Sequence, residues 1–220
     1  EPKVTHLTKE QMDDVRSAVY DNYDPKDPMY VGILLAFLAG LRCGEICGLR
    51  WNDINFYRHT LTVRSAVSVS NGKDGDYTKN PKNKTSNRTL PLMPELEDAL
   101  LKRKALIVPL DSWYVIGEQE QFMRPQQYNR LFSEFVDRNN LVDAYGKKIV
   151  PHGLRHNFAA VGIQSGMDIT SLALMMGHAS RAMTLDTYGD ANADAPALAS
   201  VKLKDTFNDN TDYFKFIIFP

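Results

Sequence analysis

The stretch LAGLRCGEICGLRWNDI occupies residues 38–54 and joins an apolar segment to a charged one. The preceding run, residues 29–39, is largely apolar and predicts a buried helix that a glycine ends. A shorter helix is predicted over residues 43–49, with Arg42 at its start. Arg42 and Glu45 are three residues apart, so they share one face of that helix. A structural ion pair and a chemical site both fit this spacing.

The pattern on either side of this stretch predicts helices with one small sheet between them. Thr8 and Gln11 have the spacing of a capping box, which predicts a helix at the start of the chain. Alternating apolar residues predict strands over 61–63, 67–69 and 88–92, with a turn at Asn71-Gly72. Helical spacing then returns over residues 95–105, 126–139, 153–165, 168–176 and 181–188. The predicted fold class is mainly α with a small antiparallel β-sheet of about three strands.

Composition excludes several classes of protein. Of 220 residues, 43% are hydrophobic and 24% charged, which is the composition of a globular chain and not of a disordered or collagen-like one. No apolar run approaches the roughly 18 residues of a membrane span, and the first residues lack the layout of a signal peptide. Cys43 and Cys47 are too few for a disulfide framework, so we expect the reducing cytoplasm. Buried thiols are favoured over half of a metal site.

The charge of the chain gives no overall attraction to nucleic acid. The formal net charge is −1 and the isoelectric point is near 6.6, so any attraction to DNA must be local. One basic stretch, KNPKNKTSNR over residues 79–88, contains Lys79, Lys82, Lys84 and Arg88 and no acidic residue. A solvated loop is the usual interpretation of such a run, and contact with DNA is the alternative.

Two further segments carry polar residues where a plain core would not. PHGLRH, at residues 151–156, places His152 and Arg155 on one helical face. MGHASRAMTLDTY, at residues 176–188, separates His178 from Tyr188 by one short helix. Each segment alone is a weak signal, because single histidines and tyrosines are more often structural.

Taken together and in this order, the segments resemble the catalytic domain of tyrosine recombinases, the phage and mobile-element integrase family. LAGLRCGEICGLRWNDI is similar to the box around the family's first arginine, and HGLRH matches its His-x-x-Arg box. MGHASRAMTLDTY is similar to the closing box that ends in tyrosine, and KTSNRTLPL to the lysine turn of a β-hairpin. The resemblance covers the chain up to Tyr188 and implies the DNA breaking-rejoining catalytic fold.

The resemblance implies a role for each matching residue. Arg42 and Arg155 bind the scissile phosphate, and His152 and His178 are the paired histidines. Glu45 orients Arg42 or His152. Lys84 is the hairpin lysine and general acid, and Tyr188 is the nucleophile. Lys84 fits the pattern better than Lys79 or Lys82, which with Arg88 are expected to contact DNA. His156 is expected to be structural. A tyrosine phenol has a pKa near 10, so it needs a base and a positive setting. No metal or other cofactor is implied.

The function implied is site-specific cleavage and rejoining of double-stranded DNA through a 3′-phosphotyrosyl intermediate. Relaxation of DNA by a type IB topoisomerase and binding without catalysis are the two alternatives. The implied partners are DNA, further copies in a homotetramer, and accessory DNA-bending or excision factors, with no membrane. The implied location is the bacterial cytoplasm, associated with the nucleoid.

Residues 1–220 are expected to form a single catalytic domain. Members of the family usually carry an N-terminal core-binding domain as well, and the chain shows no match to it. The segment 189–220 ends in the apolar stretch DYFKFIIFP, residues 212–220. It is expected to dock on its own domain or on a neighbouring subunit.

Overall fold

Seven α-helices, one short 3-10 helix (Trp51–Asp53) and five strands are seen in the part of the chain that the structure describes. The structure, a computed structural model, describes residues 7–68, 77–79 and 87–178, with the backbone alone for 77–79. The helices are α1 (Lys9–Asp21), α2 (Pro28–Ala39), α3 (Cys43–Gly48), α4 (Pro94–Ile107), α5 (Pro125–Arg138), α6 (Pro151–Gln164) and α7 (Ile169–Met176). The strands are β1 (Ile54–Asn55), β2 (Thr60–Val63), β3 (Ala66–Ser68), β4 (Tyr77–Lys79) and β5 (Arg88–Pro91).

Side-chain caps fix where the first two helices begin. Thr8 Oγ accepts the backbone N–H of Gln11 at 3.2 Å, and the Gln11 side chain accepts that of Thr8 at 2.9 Å, which confirms the predicted capping box. Asp27 caps α2 through the Met29 N–H at 2.8 Å. Gly40 ends α2 with φ +62°, a left-handed conformation that favours glycine. This turn leads directly into α3.

The strands form two small antiparallel sheets. β1, β2 and β5 lie side by side in that order, and Leu61 of β2 is paired with Ile54 and with Leu90. β3 pairs with β4 in a separate two-stranded sheet. The predicted sheet of three antiparallel strands is therefore confirmed, but its members differ. The two-residue β1 takes the place expected for the strand over 67–69.

The core is built around α2, which is buried on nearly every side. It packs most extensively against α6 and also contacts α3, α4 and α5. On α5, the Tyr128 hydroxyl donates to the Gly32 carbonyl at 3.0 Å, which shows how closely the two helices approach. A second apolar cluster, made by Ala159, Ile163, Leu172 and Met176, joins α6 to α7. As a result, the start of α3, the start of α6 and the end of α7 lie beside one another.

The predicted helices within the described residues are confirmed, with ends that differ by one or two residues. The predicted turn at Asn71-Gly72 and the helix over 181–188 lie outside the described residues. Of the helices that the structure describes, none combines the length and the apolar character needed to cross a membrane.

Candidate active site

Arg42 lies at the start of α3, where its neighbour Glu45 holds it. The backbone N–H of Arg42 donates to Glu45 Oε2 at 2.8 Å, and Arg42 Nη1 donates to Glu45 Oε1 at 3.0 Å. The side chain of Arg42 is still 39% exposed. It is therefore fixed by the protein on one side and accessible to a ligand from the other.

Glu45 is a buried carboxylate surrounded by three arginines. Arg88 donates to both of its oxygens, from Nη1 to Oε1 and from Nη2 to Oε2, each at 2.9 Å. Arg155 Nη1 lies 3.9 Å from Oε2, and Arg42 completes the set. Burial alone raises the pKa of Glu45, but the hydrogen bonds and charge of Arg88, followed by those of Arg42, outweigh it and lower the pKa to about 2. Glu45 is therefore ionised at neutral pH.

Arg155, in the second turn of α6, is the most deeply buried of these arginines. Its side chain is 2% exposed. Its Nη1 donates to the Gly40 carbonyl and its Nη2 to the Met176 carbonyl, the latter at 2.5 Å. Arg155 therefore connects the turn before Arg42 with the end of α7.

Three guanidinium groups converge on the last carbonyls of α7. Arg88 Nε donates to the Met175 carbonyl at 2.6 Å, Arg155 to that of Met176, and Arg42 Nη2 to that of Gly177 at 3.2 Å. Cations are favoured there because the C-terminal end of a helix carries partial negative charge. The arginines thus hold the residues immediately before His178.

Both site histidines lie in this positive setting, with the side chain of His152 exposed on one side and that of His178 partly buried. Burial lowers the pKa of His152, and the charges of Arg155 and Arg42 lower it further. For His178, burial and then the charges of Arg155, Arg42 and Arg88 lower the pKa to about 4, against the opposing effect of Glu45. Both imidazoles are therefore neutral at pH 7, with one ring nitrogen able to accept a proton or hydrogen bond.

A cavity of about 490 Å³ opens beside the exposed side of Arg42 and His152. Its wall includes the side chains of Asn129 and Ser133 from α5, and that of Lys148 from the segment before α6. Apolar residues, among them Phe132 and Ile149, complete the wall, and Lys148 is paired with Asp137 at 2.5 Å.

The model of the "Phage integrase family" matches residues 5–194 of the chain. The chain belongs to the phage integrase family. It is 32% identical over 156 residues to tyrosine recombinase XerA of Pyrococcus furiosus, covering 69% of this chain and 46% of that protein. It is also 30% identical over 183 residues to the transposase of transposon Tn916 from Enterococcus faecalis, covering 79% of this chain and 44% of that protein. The chain thus spans less than half the length of these two family members.

Solved structures of integrases share the fold. The Tn1549 transposon integrase, solved in complex with transposon right-end DNA, is 26% identical with a TM-score of 0.72, covering 93% of this chain and 67% of that one. The crystal structure of XerA recombinase has a TM-score of 0.64 at 21% identity, covering 94% of this chain and 63% of that one, which shows the fold alone. The predicted tyrosine-recombinase catalytic fold is confirmed.

The structure brings five of the predicted site residues of this integrase-family chain into one place. These are Arg42, Glu45, His152, Arg155 and His178. Lys82, Lys84 and Tyr188 lie outside the described residues, and of Lys79 only the backbone position at the end of β4 is described. His156 lies edge-on to His152, with ring centroids 4.2 Å apart, as a neighbour that supports it.

The side chain of Arg88 is buried, whereas its place in the basic run 79–88 predicted an exposed side chain that contacts DNA. β5 alternates buried and exposed residues, so Arg88 points to the same side as the core residue Leu90. Its side chain is 6% exposed and is paired with Glu45. This geometry does not support the predicted contact of Arg88 with DNA. A buried pair between residues 43 positions apart in sequence has no local signature.

Sequence reasoning did not identify the side chains around the cavity. The adjacent Lys147 and Lys148, just before the PHGLRH segment, were the available signal for Lys148. Cys47 is buried as predicted, whereas Cys43 is half-buried at the cavity wall, and both are free thiols. Within the described ranges, no group of three His, Cys, Asp or Glu side chains is placed to hold a metal ion.

Proposed function

We propose that this chain is the catalytic domain of a site-specific DNA recombinase or integrase. The observation that carries the proposal is the buried carboxylate of Glu45, which orients Arg42 and approaches Arg155 beside two neutral histidines. Two guanidiniums and two imidazoles form a set suited to phosphoryl transfer without a resident metal. In this proposal Tyr188, which lies within the range of the family match, is the nucleophile.

In the proposed reaction, Arg42 and Arg155 donate to the non-bridging oxygens of the scissile phosphodiester. His152 accepts the phenolic proton of Tyr188 as the phenolic oxygen bonds to phosphorus. The bond from phosphorus to the 5′ oxygen breaks, and Lys84 protonates that oxygen, while His178 hydrogen-bonds the phosphate. The products are a 3′-phosphotyrosyl linkage and a free 5′ hydroxyl. A 5′ hydroxyl from the partner strand reverses these steps and rejoins the DNA.

The electrostatics of the site support this assignment of roles. The lowered pKa of His152 leaves its imidazole neutral and ready to accept a proton at pH 7. The arginines keep their charge at any physiological pH, so they stabilise the charge that develops on the pentacoordinate phosphorus. Because Arg155 is nearly covered, phosphate binding there requires exchange of one of its carbonyl contacts for a phosphate oxygen.

The names of the relatives support a mobile element as the source. They include transposases of Tn916 and Tn1545 and the ICEBs1 integrase of Bacillus subtilis. We infer that the partners are double-stranded DNA, further copies in a homotetramer, and accessory DNA-bending or excision factors. The location inferred is the bacterial cytoplasm, with the nucleoid. We also infer that the segment 189–220 docks on its own domain or on a neighbouring subunit.

Covalent attachment to DNA tests the proposal. The longest chain that the gene encodes would be incubated with a nicked suicide duplex carrying the joined ends of its mobile element, in EDTA. We expect a covalent protein–DNA band on a denaturing gel for the wild type, and none for Tyr188→Phe. Retained binding of the Tyr188→Phe variant to the same duplex serves as the control for folding.

The other outcomes point to different functions. DNA binding without any covalent band would contradict the proposal and favour a non-catalytic binding protein. A band that survives Tyr188→Phe would mean that another tyrosine attacks, and Tyr213 would be tested next. Relaxation of a supercoiled plasmid that lacks the element's site would instead favour a type IB topoisomerase.

A further inference from the structure

We propose that Arg88 is a positioning residue for DNA cleavage, acting through Glu45 and the end of α7 and not by contact with DNA. The inference rests on the proposed function, because it assigns Arg88 a part in the same reaction. It gives a role to an arginine that the basic run 79–88 had placed among DNA-contacting residues.

The forked pairing of Arg88 with a carboxylate argues against a phosphate contact, whereas the more deeply buried Arg155 donates to carbonyls that a phosphate oxygen can replace. The side chain of Arg88 is 6% exposed, and both terminal nitrogens donate to Glu45 at 2.9 Å. The remaining nitrogen, Nε, donates to the Met175 carbonyl at 2.6 Å. All three nitrogens are thus directed into the protein, in the forked geometry in which a guanidinium best orients a carboxylate.

Through Glu45, Arg88 reaches the arginine that is open to solvent. The carboxylate that Arg88 holds at both oxygens also accepts the backbone N–H and Nη1 of Arg42. Rotation of this carboxylate would move the guanidinium of Arg42, which is 39% exposed and borders the cavity. Small displacements of a group that positions a reacting centre have large effects on rate.

Arg88 also holds the segment that leads to His178. Its contact with the Met175 carbonyl is next to the Arg155 contact with Met176 and the Arg42 contact with Gly177. A Cβ at Gly177 would lie 2.7 Å from Arg88 Nη1, so the backbone there packs directly on the guanidinium. Strand β5 is thereby connected both to Arg42 and to the residue before His178.

The test compares Arg88 with a second buried arginine, Arg103. Arg103 is 4% exposed and donates to the carbonyls of Val115, Pro25 and Lys26, away from the site. The variants Arg88→Gln, Arg88→Lys and Arg103→Gln would be made in the full chain. For each, the rate of covalent attachment to the suicide duplex at saturating DNA is measured, together with the salt dependence of binding to an intact duplex.

We expect Arg88→Gln to slow covalent attachment by roughly 10- to 100-fold at saturating DNA. The slope of log affinity against log salt should stay unchanged, because no phosphate contact is lost. Arg88→Lys should be faster than Arg88→Gln but slower than the wild type. The ammonium group keeps the positive charge but cannot form the two parallel hydrogen bonds of a guanidinium to a carboxylate. Arg103→Gln should lower thermal stability without slowing attachment at a temperature where it is folded.

Two results would overturn the proposal. A salt slope reduced by about one in Arg88→Gln, with an unchanged rate of attachment, would make Arg88 a phosphate contact. An equal loss of rate in Arg103→Gln would mean that any buried arginine matters through folding alone. If Arg88→Gln does not fold, Arg88→Lys is decisive by the same two measurements. Absence of a covalent band in the wild type would instead count against the proposed function.

Discussion

Two buried arginines, Arg88 and Arg103, show how differently the same side chain is used in one fold. Arg103 of α4 donates to three backbone carbonyls, those of Val115, Pro25 and Lys26. Burial lowers the pKa of Arg103. Arg88 of β5 is instead paired with a carboxylate that two other arginines also approach. Arg103 connects loops, whereas Arg88 belongs to a cluster that reaches solvent through Arg42.

The difference lies in what the partner of each arginine does next. The carbonyls that Arg103 binds belong to residues 25, 26 and 115, which fix the loop before α2 against the segment after α4. Glu45, which Arg88 holds in place, in turn binds Arg42, whose guanidinium borders a cavity. In this fold, Arg88 therefore acts on an accessible arginine through a carboxylate, while Arg103 holds backbone segments together.

The largest effect that the comparison predicts is the loss of stability in the variant Glu45→Gln. The pKa of Glu45 is about 2 in the fold against an ordinary 4.5, so its ionised form stabilises the protein above about pH 4.5. That stabilisation is lost as the pH falls from about 4.5 towards 2. Glu45→Gln should lower the free energy of unfolding at pH 7 by about 3 kcal/mol and flatten its dependence on pH in that window. Urea unfolding as a function of pH measures both.

Asp53→Asn is the matched control for that prediction. Asp53 is also buried and is paired with Arg64, but burial raises its pKa. Burial of the ionised Asp53 carboxylate therefore lowers the free energy of unfolding of the protein at neutral pH. This destabilisation decreases as the pH falls through the raised pKa of Asp53. If Asp53→Asn cost as much stability at pH 7 as Glu45→Gln, the special position of Glu45 would be contradicted.

A second, smaller effect is expected at Gly177, which packs against Arg88. Gly177 has φ +62°, and an added Cβ would lie 2.7 Å from Arg88 Nη1. Gly177→Ala should cost about 1–2 kcal/mol in backbone strain and should also displace the guanidinium from Glu45. We expect covalent attachment to DNA to slow by roughly tenfold or more as the site geometry shifts.

The variant Gly146→Ala distinguishes the effect of backbone strain from the effect of displacing the Arg88 guanidinium. Gly146 has φ +72°, but among the described residues, its two chain neighbours aside, no atom lies within 4 Å of the position that a Cβ would take. This variant should show a similar loss of stability and an unchanged rate of covalent attachment. Equal rates for the two alanine variants would mean that contact between Gly177 and Arg88 does not matter for cleavage.

Much of the fold could be predicted because its signals are local. The Thr8–Gln11 capping box and the glycine at the end of α2 each fix an element through residues close in sequence. The two-residue strand β1 carries too little pattern to detect, and its place in the sheet depends on pairing with β2. The apolar alternation near Val67 was real, but nothing local showed that β3 would pair away from β2.

The site could be predicted as a set of residues but not as an arrangement. The spacing of Arg42 and Glu45 predicted their contact, since both belong to one helix start. The contact of Arg88 with Glu45 depends on where β5 lies relative to α3, which no spacing reveals. Its position in a basic run suggested exposure, whereas the alternation along β5 places it inside. The pairing of buried charges that are far apart in sequence could therefore not be predicted from the sequence.

The smallest predicted effect tests whether the cluster around Glu45 carries excess positive charge. Three arginines face one carboxylate, and the charges of Arg155 and Arg42 help to lower the pKa of His152. Arg42→Gln removes one of these charges, so the pKa of His152 should rise. NMR titration of the imidazole in the DNA-free protein measures this directly. Arg103→Gln should leave the titration unchanged, because Arg103 is not among the charges that act on His152. An unmoved His152 pKa in Arg42→Gln would show that the charge of Arg42 does not act on this imidazole, and the link between the cluster around Glu45 and His152 would then rest on Arg155 and burial.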